Sequence, residues 1–105
     1  MILLCTLDEL DNHASRGFTL EDRAIFVVRQ NHKVYAYRNR CPHLGIPLEW
    51  QPHRFLDADG ELIQCSTHGA LFTIDDGLCV SGPCSGQFLE SVPVELKDNQ
   101  VWVQV

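Results

Sequence analysis

The sequence predicts an all-β domain, an antiparallel sandwich or barrel, on three observations. Short runs rich in β-branched and aromatic residues recur along the 105 residues. Four pairs of such runs flank short polar tips, as hairpins do. No segment sustains a helical hydrophobic period.

The elements follow in order. "MILLCTL" reads as a first strand and "DELDNHAS" as a turn or a single short helical turn. "AIFVVRQ" and "KVYAYRN" form a hairpin around Asn31-His32, because asparagine tolerates positive φ. "RFLD" and "ELIQC" flank "ADG", "ALFTI" and "LCVSG" flank "DDG", and "SVPVEL" and "VWVQV" flank "KDNQ". Repeats, linkers and low-complexity stretches are absent, so the length predicts one domain over 1–105.

Composition narrows the function. Fourteen acidic against eight basic residues give a formal charge of −6, which argues against a nucleic-acid surface. The apolar start ends before Asp8 and has no basic flank, and no run approaches the length of a membrane span. A cytoplasmic location is therefore expected, with no membrane partner. Five cysteines, an odd number, do not suggest a disulfide framework. In a reducing compartment, cysteines beside histidines suggest metal ligands or catalysis.

Two segments carry that chemistry, "CPHLGIPL" from Cys41 and "CSTHGALF" from Cys65. Both fall in glycine-containing loops after expected strands, where sites are commonly built. The spacing is Cys41-x-His43, 21 intervening residues, then Cys65-x-x-His68. Three chemistries use such residues. A structural zinc site takes four ligands, but usually as a cysteine pair and a separate histidine pair. A cysteine nucleophile with a histidine base leaves the second pair unexplained. A binuclear iron–sulfur cluster can take two cysteines on one iron and two histidines on the other, which leaves no residue over.

"CPHLG" with "CSTHG" resembles the two cluster-binding loops of the Rieske family, and "SGP" at Ser81–Pro83 resembles its proline loop. "LCTLDEL", "KVYAYRNRCPH" and "VPVELKDNQVWVQV" are similar to small Rieske ferredoxins, so the resemblance covers nearly the whole chain. It implies a Rieske-like antiparallel β-sandwich or barrel, with a cluster-binding subdomain of two hairpin loops at about 39–86. It implies one [2Fe–2S] cluster, with Cys41 and Cys65 on the inner iron and His43 and His68 on the outer. Gly45 and Gly69 would turn the loops and aim amides at the cluster sulfurs, and Pro83 would exclude water. Two thiolates cancel the charge of the oxidised core, so reduction is easier than with four cysteines. Each ligating imidazole keeps a second N–H, which predicts a pH-dependent potential.

The chain departs from the high-potential, membrane-bound members of that family. Their inter-loop disulfide would need cysteines where Ile46 and Thr67 stand. Their serine and tyrosine hydroxyls on the cluster sulfurs are replaced by Ala70 and Phe72. Fewer hydrogen bonds place the expected potential low in the Rieske range, near about −150 mV. The implied role is a one-electron carrier, not an enzyme, between a flavin- or NAD(P)H-dependent reductase and the oxygenase component of a ring-dioxygenase system. The alternatives are an accessory subunit resembling a nitrite-reductase small subunit, or a zinc-stabilised binding module.

The remaining residues have simpler readings. Cys5 is a small buried side chain; Cys79 and Cys84 flank the proline loop without a ligand role, and a disulfide between them is disfavoured in a reducing compartment. His13, His32 and His53 are expected in solvent. Trp50 and Phe55 are expected to pack as a satellite core. Arg38 and Arg40, with Arg29 and Lys33 nearby, are either a solvated face or a docking rim for an acidic partner.

Overall fold

The structure is a computed structural model, and it describes residues 1–42, 45–49, 51–66 and 69–104. The described residues form nine strands in three antiparallel three-stranded sheets. β1 (Ile2–Thr6), β9 (Gln100–Val103) and β8 (Val94–Lys97) make one, in the order β1-β9-β8. β2 (Ser15–Leu20), β3 (Arg23–Gln30) and β4 (Lys33–Arg38) make the second. β5 (Leu62–Gln64), β6 (Leu71–Thr73) and β7 (Cys79–Ser81) make the third and smallest. A 3-10 turn, Leu7–Glu9, follows β1. Among the described residues no helix is long and apolar enough to cross a membrane.

β3 organises the interior. Ile25, Phe26, Val27 and Val28 are all fully buried, so this strand is covered on both faces. Side chains alternate across a strand, and the alternation here feeds two separate cores. Phe26 and Val28 join Tyr37, Phe55, Ile63, Phe72 and the cysteines of the small sheet. Ile25 and Val27 join Cys5, Leu10, Val101 and Val103 beneath the β1-β9-β8 sheet. Burying each such side chain stabilises the fold by roughly 1.5–3 kcal/mol before entropy is counted.

Turn chemistry sets the registers. Asp98 and Asn99 both have positive φ (51° and 64°), and Lys97 pairs with Gln100 across them. Asn31 has φ 57° between the paired Gln30 and Lys33, as its residue type predicts. The β2–β3 turn was not expected. Glu21 and Asp22 both take positive φ (48° and 67°) without a glycine or an asparagine.

Two expectations change. Phe55 is not satellite packing. It is fully buried in the main core and stacks on Phe26 with ring centroids 4.3 Å apart. Trp50, its expected companion, lies outside the described residues. The hairpin around "ADG" is also slighter than expected. Its first arm forms no strand of its own and pairs through the isolated Leu56–Ile63 bridge, flanked by the Asp57 N–H to Leu62 carbonyl and Gln64 N–H to Phe55 carbonyl bonds.

Candidate metal centre

Two loops of matched form follow β4 and β5. In the first, the Cys41 N–H donates to the Ile46 carbonyl at 2.7 Å. In the second, the Cys65 N–H donates to the Ala70 carbonyl at 2.8 Å. Each bond closes a four-residue excursion, 42–45 and 66–69, with a cysteine at its base. Each excursion ends on a left-handed glycine, Gly45 at φ 70° and Gly69 at φ 65°, where an L side chain would be strained. The Ser66 N–H donates to the Leu48 carbonyl at 2.9 Å and ties the second loop to the chain leaving the first.

The structure brings Cys41 and Cys65 together in one buried cluster, with 3% and 1% of their surfaces exposed. His43 and His68, the other two residues of the expected set, lie outside the described residues. Gly45 differs from expectation in one respect. Its amide donates to the Cys41 carbonyl at 2.7 Å, so that bond tightens the loop itself. Ala70 and Phe72 are buried and bring no hydroxyl to the site, as read from sequence.

A strap from Cys79 to Gln87 lies beside the second loop. The Cys79 N–H bonds the Gln87 carbonyl at 2.8 Å, and the Gly86 N–H returns to Cys79 at 3.0 Å. At the tip, Ser85 bonds the Gly82 carbonyl through both its amide and its hydroxyl. Gly82 presses on the base of the second loop. A Cβ there would stand 2.8 Å from the Cα of Ala70. Cys84 is fully buried in the same cluster as Cys41 and Cys65. Burial first, then the Cys79 thiol bonded to it and the charges at Cys79 and Cys41, push the Cys84 thiol up to about 12.

Asn39 is a positioning residue that sequence reasoning missed. Its side-chain carbonyl accepts the Leu48 N–H at 2.8 Å, and its amide donates to Glu49 at 3.0 Å. It thereby fixes the chain on both sides of the first loop. The signal was a polar residue directly between a strand and the first cysteine.

The other named residues have other tasks. His53 is exposed as expected, but its Nδ1 accepts the Gly17 N–H at 3.0 Å and pins β2. The Arg29 guanidinium bonds the Leu7 and Leu10 carbonyls, and Lys33 opens β4 at the end away from Cys41. Neither belongs to a rim at the site. Arg38 and Arg40 do flank it. With Pro42, Phe88 and Glu90 they line a hollow of about 610 Å³ beside Cys41. Arg38 is paired with Glu90 at 3.1 Å, and Arg40 lies across Gly45.

Two buried thiols, each at the base of a matched loop, fit the class of metal-binding β proteins. Two thiolates in this interior would be costly unless a cation compensated them, so the donor set fits a cationic iron–sulfur core. The chain belongs to the Rieske [2Fe–2S] domain family, whose model matches residues 1–97. No curated protein matches it by sequence. Among solved structures it is similar to the ferredoxin of carbazole 1,9a-dioxygenase from Nocardioides aromaticivorans IC177, at 24% identity and a TM-score of 0.79. That likeness covers 97% of this chain and 94% of the other. It is also similar to a chain in the complex of reduced oxygenase and oxidised ferredoxin in carbazole 1,9a-dioxygenase. There the identity is 25% and the TM-score 0.78, covering 97% and 90% of the two chains.

Proposed function

We propose that this protein is a one-electron carrier with a [2Fe–2S] cluster held by Cys41 and Cys65 on the inner iron and by His43 and His68 on the outer. The observation that supports it best is the pair of matched loops, each with a buried cysteine at its base and a histidine in its excursion. When bound, the cluster supplies a one-electron couple. The chain's own residues do the rest. Cys41 and Cys65 anchor the core from the buried side. The strap through Gly82 and Pro83 keeps water from the thiolates. His43 and His68, which follow the two cysteines in sequence, would give the electron its way in and out.

The partners follow from similarity. A solved relative is described as a complex of oxygenase and ferredoxin. By that likeness this chain delivers electrons to an oxygenase component; a flavin- or NAD(P)H-dependent reductase as its donor rests on the resemblance to small Rieske ferredoxins alone. Its place is the cytoplasm, where reducing conditions keep the cysteines available.

EPR of the dithionite-reduced protein tests the cluster. The expected spectrum is that of a histidine-ligated binuclear centre, with a midpoint low in the Rieske range, about −150 mV. His43→Ala and His68→Ala should each abolish it. A reconstituted protein that binds zinc, lacks acid-labile sulfide and stays colourless would overturn the reading.

A further inference from the structure

Two cysteines have no part in the proposed ligand set, and they face each other. The Sγ atoms of Cys84 and Cys79 are 3.0 Å apart, and the Cys79 thiol also lies 3.3 Å from the Ser81 carbonyl. A disulfide needs a sulfur separation of about 2.05 Å, so closing by about 1 Å would form one. Backbone hydrogen bonds hold the two residues in place. Cys79 is paired with Gln87 and Gly86, and the Gln87 N–H bonds the Cys84 carbonyl at 2.9 Å. All residues of the strap between and beyond the two sulfurs, 80–83 and 85–88, are exposed, and only the cysteines turn inward. An oxidant can reach the two buried thiols only when this strap opens.

We propose that Cys79 and Cys84 form a redox-responsive dithiol, closed to a disulfide by a low-molecular-weight disulfide oxidant, that clamps the strap over the second cysteine loop. The exchange balances. The Cys79 sulfur attacks oxidised glutathione, breaking its S–S bond and releasing one glutathione, which carries off the Cys79 proton. The Cys84 sulfur then attacks the mixed disulfide on Cys79 and releases a second glutathione with the Cys84 proton. Two protein thiols lose two electrons and one glutathione disulfide gains them.

The clamp acts through Gly82. This residue lies between the two cysteines in sequence and rests on Ala70, whose carbonyl closes the Cys65 loop. Bridging 79 to 84 restricts the strap to the closed position. Cys5 supplies an internal control. It is buried in the other core, away from any second cysteine of this cluster.

The test equilibrates the folded holoprotein with glutathione buffers of graded ratio, then blocks the remaining thiols and maps peptides without reduction. The expected result is a peptide joining Cys79 to Cys84, lighter by two hydrogen atoms, with slower amide exchange across 80–86. Cys79→Ser and Cys84→Ser should each lose that bridge and keep the visible spectrum. Both thiols staying reduced until the chain is denatured would overturn the proposal. So would a bridge between Cys41 and Cys65, or a stable glutathione adduct in its place. The bridge is scored by mass and the electron carrier by EPR, so either can fail alone.

Discussion

Gly82 has little freedom of choice at its position. Its φ is 107°, and any Cβ would meet the Ala70 backbone at 2.8 Å. Gly82→Ala should therefore lift the strap from the second loop. We expect faster loss of visible absorption on dilution into chelator, with near-native far-UV circular dichroism. Gly77 is similarly constrained, since a Cβ there would stand 2.7 Å from the Tyr37 ring. Tyr37 itself donates its hydroxyl hydrogen to the Ile74 carbonyl inside the core. Burial first, then the negative charges of Asp75 and Asp76, push its phenol well above the ordinary range. The folded state therefore keeps this proton where the unfolded chain gives it up. The stability this provides is full below about pH 10, the ordinary tyrosine value, and falls as pH rises beyond it. Tyr37→Phe should cost about 1 kcal/mol at neutral pH. Its urea midpoint should fall less steeply than that of the native chain above pH 10.

At the scale of elements, the first loop depends on Asn39. Removing its side chain leaves the Leu48 amide, on a fully buried residue, without its partner. Asn39→Ala should destabilise by about 1–3 kcal/mol and loosen the Cys41 loop more than the Cys65 loop. Amide exchange at Cys41 and Gly45 against Cys65 and Gly69 would measure the difference. The elements differ in how much of them the sequence reveals. β3, β4, β8 and β9 are legible because apolar runs end at turn residues that accept positive φ. β2 is not, because Ser15, Arg16, Gly17 and Thr19 make a half-exposed strand with a glycine in it. Its turn rests on Glu21 and Asp22, which carry no turn signature as a pair. The two cysteine loops are legible as chemistry, through residue type and spacing. Their shared closing bond is not, because it joins backbone groups. The approach of Gly82 to Ala70 joins residues distant in sequence, and only the packing discloses it.

At the scale of the whole molecule, the small size of each core makes the bound centre part of the stability. A ligand that binds only the folded chain raises its stability, and a metal centre clamped between loops does so strongly. Removing iron with chelator should lower the thermal midpoint, and reconstitution with iron and sulfide should restore it. Calorimetry of the two forms at matched concentration is the check. Unchanged midpoints would mean that the loops are held by the protein interior alone.

The double-faced burial of β3 gives that loss a direction. Phe26 and Val28 lean on the cysteine side, whereas Ile25 and Val27 lean on the β1-β9-β8 side. The strand is thus a partition, and damage on one side of it need not spread to the other. Stripped of its iron, the chain should melt in two stages, with the compartment bearing the chain ends outlasting the one that bears the loops.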